Sequence, residues 1–245
     1  MLSTFGLALT FLTIIPLPSR RPAAAADLAA AMAWFPTVGL VLGGILALAA
    51  ATLEQRLPPA ATAACLVALL AFLTRGLHLD GLADTLDGLG GGRTREDILR
   101  IMKDHAVGAF GAVGIAAILL LKYGLLVAVL ERRAWECIVI FPVLSRFAVV
   151  LLSYVSPYAR PEGGLGQAMT TLTTGRTLAW AAASAVLIVG LAGRGAGLLA
   201  LLLIIALTWG LAAYFRRRLG GVTGDVCGAT NEIIEVQAIL MLSIF

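Results

Sequence analysis

Apolar residues run along this chain in helix-length stretches, and polar residues gather in the short intervals between them. Apolar runs of roughly 17 to 25 residues cross a bilayer as helices, because a helix satisfies its backbone hydrogen bonds within the segment. Six stretches meet that pattern: 28–53, 59–77, 108–130, 137–155, 177–192 and 196–215. Two further stretches lie at the ends. Residues 2–17 are short and end in the Pro16 and Pro18 pair, which leaves a re-entrant or interfacial segment open, and 226–245 carries carboxylates at its start. After Thr94 and Asp97, a capping-box-like helix start, Ile98, Ile101 and Met102 form the apolar side of a short helix expected to lie along the interface. The predicted fold class is all-α: a polytopic integral membrane helical bundle of about 6–8 membrane segments plus a short interfacial helix. Residues 1–245 read as one domain, without a detectable repeat or low-complexity block.

Composition agrees with the pattern: 60% hydrophobic residues, 13% charged residues and a mean hydropathy of +0.97 exceed what a soluble domain of this length carries. No basic residue precedes the first apolar run, and Arg20 and Arg21 follow it, so no cleaved signal peptide is expected. Cys65, Cys137 and Cys227 lie far apart without a CxxC pair, and read as small membrane-buried side chains. Threading the six spans alternately puts Arg20, Arg21, Arg93, Arg95, Arg100, Lys103, Arg160, Arg176 and Arg216–Arg218 on one side, with Arg75 at its border. Arg56, Arg132, Arg133 and Arg194 fall on the other, so the richer side is predicted to be cytoplasmic. The net charge of +4 adds only that anionic lipid or an anionic substrate is welcome nearby.

On that side the sequence GLHLDGLADTLDGLGGG, residues 76–92, carries three aspartates within eight residues. At about 100° per residue, Asp84 lies about 40° and Asp87 about 20° to either side of Asp80 on a helical wheel, so the three carboxylates share one face. Adjacent like charges repel, and something cationic is expected between them. Arg75, Arg93, Arg95 and Lys103 are available, but Mg²⁺ answers the geometry better: it takes carboxylate and water oxygens and is completed by substrate phosphates. With Asp104 after the short helix, one or two such ions could be held, with Asp225 as a further candidate ligand. The alternative is a solvated helix end whose charges pair with the loops. Gly88, Gly90, Gly91 and Gly92 make a turn where backbone can approach a ligand, yet neither GxGxxG nor GxxxxGK[ST] is present, which excludes a nucleotide-fold motif. Aspartates before this turn and Arg93, Arg95, Arg100, Lys103 and Asp104 after it suit an anionic diphosphate meeting metal and arginine.

FLTIIPLP (11–18), HLDGLADTLDG (78–88), IMKDHAVGAFG (101–111), SR (145–146), YARPEGGLG (158–166) and GDVCGATNE (224–232) with Glu235 carry a resemblance that runs end to end. In these motifs the chain resembles the cobalamin synthases, the adenosylcobinamide-GDP ribazoletransferases. The resemblance implies an enzyme of the bacterial inner membrane, active site toward the cytoplasm, joining adenosylcobinamide-GDP to α-ribazole or α-ribazole 5′-phosphate with Mg²⁺ and releasing GMP. Membrane lipid is the expected surrounding and no nucleic acid is expected; a homo-oligomer and association with other corrinoid-pathway enzymes stay open.

On this reading Mg²⁺ on Asp80, Asp84 and Asp87 bridges the diphosphate, Asp104 or, second, Asp87 accepts the proton of the attacking ribose hydroxyl, and Arg93, Arg95 and Arg100 clamp phosphate, with Lys103 beside them. Arg160, in a connection with Tyr158 and Glu162, is expected to contact substrate. Glu235 lies about 15 Å beyond Asp225 along a helix, a costly depth for an unpaired carboxylate. It completes the metal site, binds the corrinoid or base, or pairs with Arg146; Asn231 hydrogen-bonds substrate or a neighbouring helix, and Lys122 either snorkels or pairs with a carboxylate. His78 sits off the aspartate face and reads as bonding a neighbour, while His105 is a candidate for proton movement. Asp84-Thr85-Leu86-Asp87-Gly88 also looks like half of the motif of CDP-alcohol phosphotransferases, lacking its Ala-Arg pair and second half, which makes such an enzyme the runner-up. An ion-coupled transporter would use intramembrane carboxylates too, but predicts internal repeats that this chain lacks.

Overall fold

Helices account for the regular structure throughout residues 4–17, 23–104 and 106–244, the parts described by this computed structural model. In chain order they are α1 (Thr4–Leu12), α2 (Ala25–Ala31), α3 (Phe35–Leu53), α4 (Pro59–Leu73), α5 (Leu77–Gly91), α6 (Arg95–Ile101), α7 (Ala109–Glu131), α8 (Trp135–Val155), α9 (Leu165–Thr171), α10 (Gly175–Leu219) and α11 (Gly224–Ile244). A 3₁₀ turn, Met32–Trp34, continues α2 into α3. Among the described residues five apolar stretches are long enough to cross a membrane: Ala25–Leu53, α7, α8, α10 and α11; α4 with α5 makes a sixth if that bent pair counts as one. The chain is therefore a polytopic, all-α membrane bundle.

One expected span changes, and the open reading of the first stretch is decided. The apolar run predicted as 59–77 stops at Leu73, and the chain bends by 88° into α5. Arg75 and Gly76, both at positive φ (55° and 66°), make this break; glycine adopts that conformation at little steric cost, and arginine does not. Residues 4–12 form only nine residues of helix, about 13 Å, too short to cross hydrocarbon. Instead α1 lies against the end of α4: Ile14 N donates to Leu73 O at 2.7 Å, and Arg75 Nη2 donates to Thr10 O at 3.2 Å. Cys137 and Cys227 are buried inside the bundle, and Cys65 lies on the outer face of the apolar α4. The pair 177–192 and 196–215 corresponds to the two legs of α10, which folds back at Arg194 (φ 49°, ψ −136°). A Cβ on Gly197 would lie 2.8 Å from the carbonyl oxygen of Val189, so the legs run side by side.

α8 is the axis of the bundle and is buried along most of its length among α3, α10 and α11. Gly39 and Gly43 let α3 cross it closely, because a methyl at either would overlap the carbonyls of Pro142 and Val139. A second close crossing decides the site: a Cβ on Gly81 of α5 would stand 2.7 Å from Asp225 O, and one on Gly228 of α11 would stand 3.3 Å from His78 Cα. On the same face, Thr94 Oγ1 caps α6 by accepting from Asp97 N at 3.1 Å, as the sequence predicts, and buried Ile98 and Met102 seat α6 beneath Gly88 and Gly92. The connection after α8 is tied to the turn before α11 by a short parallel bridge, in which Ala159 N donates to Val222 O and Val222 N to Pro157 O, each at 2.9 Å.

Candidate active site

The α5–α11 crossing opens a cavity of about 260 Å³, lined by residues of both helices, of α1, α3 and α8, and of the 158–169 segment. Its floor is apolar: Leu12, Phe35, Val149 and Met169 are buried. Its rim is charged, with Asp80, Asp225 and Arg160. Arg160 Nη2 donates to Asp225 Oδ2 at 2.7 Å and to Met102 O at 3.3 Å, while its buried Nε has no partner among the described residues. Thr223 Oγ1 also donates to Asp225 Oδ2 at 3.3 Å, and accepts from Val226 N at 3.2 Å as the start of α11. Asp84, half-buried one turn along from Asp80, stands in the field of Asp225, Asp80, Arg160 and Asp87. The structure thus brings Asp80, Asp84, Asp225 and Arg160 to one place.

Asp87 shares their helix but has a different occupation. Its two carboxylate oxygens accept from Gly108 N at 2.7 Å and Gly111 N at 2.9 Å, so it holds the first turn of α7 where the backbone N–H groups lack helical partners. Asp104 is exposed, and its Oδ1 accepts from Ala106 N at 3.1 Å. His105 lies outside the described residues. Among the described residues no three His, Cys, Asp or Glu side chains stand together in an arrangement ready to hold a metal. The donors nearest to that role are the carboxylates of Asp80, Asp84 and Asp225, hard oxygen ligands of the kind a divalent Mg²⁺ takes.

The basic residues divide. Arg93 and Arg100 are exposed, Arg100 at 3.6 Å from Asp97. Arg95 is committed to the scaffold: its Nη2 donates to Ala159 O at 2.8 Å and its guanidinium lies over Gly220. Lys103 Nζ donates to Glu162 Oε1 at 2.7 Å, and this bond holds the Glu162 carboxyl below its ordinary range. Burial raises the Tyr158 phenol above its ordinary range, against the opposing Arg160 cation, and its hydroxyl donates to Gly163 O at 3.4 Å.

Asn231 and Glu235 are not at this rim. They sit deeper along α11 in a buried network in which Glu235 pairs with both Lys122 and Arg146, Lys122 also meets Glu232 at 2.7 Å, and Asn231 Nδ2 donates to Glu235 Oε1 at 3.0 Å. Of the three readings of Glu235, the geometry realises the pairing with Arg146, and of the two readings of Lys122 the carboxylate pair. His78 departs from its expectation: it is buried and lines the cavity, and its Nδ1 has no hydrogen-bond partner among the described residues. The apolar floor was missed as well, since Phe35 and Met169 look like any other span residues until the fold brings them together.

The family described as cobalamin-5-phosphate synthase matches residues 4–243 of the chain. Curated relatives carry the name adenosylcobinamide-GDP ribazoletransferase: one from Syntrophobacter fumaroxidans is 44% identical over 238 residues, covering 96% of each chain. One from Geotalea daltonii is 41% identical over 247 residues, 99% of this chain and 97% of its own. One from Chlorobaculum tepidum is 41% identical over 263 residues, 100% of this chain and 96% of its own. No solved structure matches the chain. With a match that runs from α1 to α11 and takes in every residue of the charged rim, the chain belongs to the cobalamin-5-phosphate synthase family, enzymes of cobalamin synthesis.

Proposed function

We propose that this enzyme joins adenosylcobinamide-GDP to α-ribazole or α-ribazole 5′-phosphate, forming adenosylcobalamin or its 5′-phosphate and releasing GMP, at the cytoplasmic face of a bacterial inner membrane. The observation that carries this reading is the meeting of Asp80, Asp225 and Arg160 at the rim of a cavity with a largely apolar floor, with Asp84 one turn along α5 in their field. A bond forms between a ribose oxygen of the acceptor and the phosphorus nearer the corrinoid, and the bond from that phosphorus to GMP breaks. The relatives' shared name supports the substrates, and the excess of basic residues on the site's side of the bundle supports the orientation.

Each residue then has a task. Asp80, Asp84 and Asp225 would hold Mg²⁺, which when bound neutralises diphosphate charge and eases departure of GMP. Arg160 presents an N–H to a phosphate oxygen from a guanidinium already oriented by Asp225 and Met102 O. Asp87 positions α7 and with it the start of the 104–108 connection. Asp104, with one oxygen on Ala106 N, accepts the hydroxyl proton. Arg93 and Arg100 meet the diphosphate from the exposed edge. Purified protein in lipid, given adenosylcobinamide-GDP and α-ribazole 5′-phosphate with Mg²⁺ or chelator, should yield adenosylcobalamin 5′-phosphate and GMP in equal amounts only with metal, as read by mass spectrometry. Full turnover by Asp84→Asn removes the metal assignment, unaltered turnover by Asp104→Asn removes its role as proton acceptor, and CMP release from a CDP-alcohol mixture, with no corrinoid product, replaces the reaction itself.

A further inference from the structure

Asp80 borders two spaces. It lines the cavity at the α5–α11 crossing, and it also lines a second, more open cavity of about 430 Å³ with Arg75, Leu77, Ala83, Val107 and Ile115. The helix explains the division. At about 100° per residue, Gly81 lies about 100° to one side of Asp80 and Ala83 about 60° to the other. Gly81 meets α11, where its Cβ would stand 2.7 Å from Asp225 O, and Ala83 meets α7, where a Cβ on Gly111 would stand 3.0 Å from Ala83 Cβ. The Asp80 carboxylate thus stands on the ridge between a cavity on the α11 side and a groove on the α7 side. Leu77, Ala83, Val107 and Ile115 make the groove walls apolar, with Arg75 as the cation and Asp80 as the acid among its described lining residues. Val107 belongs to the connection that carries Asp104, whose Oδ1 accepts from Ala106 N.

We infer that the α5–α7 groove is a separate site for the acceptor riboside, so that the two substrates reach Asp80 from opposite flanks of α5; the inference rests on the reaction proposed above. In-line displacement at phosphorus needs the entering and the departing oxygen on opposite sides. The fold offers two cavities on opposite sides of one carboxylate. Arg160, paired with Asp225, stands on the α11 side and suits the departing GMP phosphate, whereas the connection bearing Asp104 borders the groove and suits a hydroxyl that gives up its proton. Size agrees. About 430 Å³ lies within the ~300–1,000 Å³ of small-molecule pockets and suits a riboside with an aromatic base, while a donor carrying both a corrinoid macrocycle and a nucleotide exceeds either space and extends over the rim. The step then balances across α5. On the groove side a ribose oxygen bonds to the phosphorus nearer the corrinoid and its proton passes to Asp104. On the α11 side the bond from that phosphorus to GMP breaks, and GMP leaves with the electron pair beside Arg160. Leu77, Ala83 and Ile115 become acceptor-contacting residues, and the carboxylate pattern of the sequence points to none of them.

GMP and α-ribazole cannot react with each other, so both can be titrated onto wild-type protein in lipid nanodiscs without turnover. Separate cavities predict that saturating GMP shifts the Kd of α-ribazole by less than about threefold, whereas one shared cavity predicts a Kd that rises in proportion to GMP. Ile115→Trp, which fills the groove, should weaken α-ribazole about tenfold or more and spare GMP. Val149→Phe, which narrows the cavity on the α11 side, should leave α-ribazole within about threefold of wild type. Mutual exclusion of the two ligands, no binding of α-ribazole, or a loss in Val149→Phe equal to that in Ile115→Trp overturns the inference. The wild-type titration decides if a variant fails to fold, and the variants decide if GMP binds too weakly to saturate. Independent binding of both ligands, without any corrinoid product from adenosylcobinamide-GDP, would keep the two cavities and remove the reaction. Competition in a protein that turns over would keep the reaction and remove the separate acceptor site.

Discussion

Glu235→Gln is the sharpest perturbation of the buried network, because one carboxylate there serves two cations on two other helices. Glu235 and Arg146 have side chains 1% exposed, and Lys122 and Glu232 5%, so none of the four is relieved by solvent. The four charges sum to zero. At the Lys122–Glu232 separation of 2.7 Å, attraction in an effective dielectric of 20 is about 6 kcal/mol, most of it offset by desolvation. Removing one partner while the others stay buried costs about 3–5 kcal/mol. The variant leaves Lys122 and Arg146 sharing Glu232 alone, so a loss in that range is expected, read as the shift in SDS-induced unfolding in mixed micelles followed by tryptophan fluorescence. The balanced double variant Lys122→Met with Glu232→Leu keeps the Arg146–Glu235 pair and restores neutrality. It should be less destabilised than Lys122→Met alone by about 2 kcal/mol or more, since replacing a whole buried pair by apolar side chains is often neutral. A Glu235→Gln protein within 1 kcal/mol of wild type, or a double variant no more stable than the single, would refute the account of the network as one interdependent unit.

Asp87→Asn should cost about 1–2 kcal/mol by weakening the charge-assisted cap on α7, and hydrogen exchange should quicken at Gly108 and Gly111 before it does elsewhere. Gly108→Ala attacks the same joint from the other side, because its Cβ would lie 2.5 Å from Asp87 Oδ1, and a loss of about 1–3 kcal/mol is expected. The Lys103–Glu162 bond has a pH signature. The folded carboxyl titrates below its unfolded value, so the bond's contribution is complete above the ordinary glutamate range and is lost as pH falls through the lowered folded value. A nitroxide at Gln167 should therefore gain mobility on acidification, and Lys103→Met should abolish that change; a pH response unaltered in this variant would assign it to another group.

Local features were legible in the sequence, and long-range ones were not. The aspartate helix and the Thr94 cap could be read because periodicity and capping depend on neighbours three or four residues away. The reversal at Arg194 could be read as a gap between two span-length runs, flanked by Gly193 and Gly195. The 88° break had a signal that was passed over: Gly76 closes an apolar run, the place where a positive φ ends a helix. The wheel put Asp80, Asp84 and Asp87 on one face, yet only the fold shows that Asp87 is taken by the start of α7, which arrives from 21 residues further on. His78 was misjudged for the same reason. A wheel orders the faces of α5 but carries no knowledge of α11, whose Gly228 lets the two helices cross closely enough to make the face bearing His78 a cavity wall.

The division along α11 follows from depth. Asp225 stands at its first turn, where solvent and backbone N–H groups support a charge and where an ionic ligand can arrive. Glu232 and Glu235 lie two to three turns further in, where a carboxylate persists only beside a cation, and the fold supplies Lys122 from α7 and Arg146 from α8. One helix therefore carries two sets of acids with opposite requirements: the outer set must stay available to a ligand, and the inner set must never be. Because α5 crosses α11 between them, at Gly81 and Gly228, loosening the inner network should move the wall that carries His78 as well as lower stability. Glu235→Gln should accordingly lower turnover as well as stability while leaving Asp80 and Asp225 chemically intact, whereas Asp84→Asn should abolish turnover and leave the resistance to SDS close to that of the wild type.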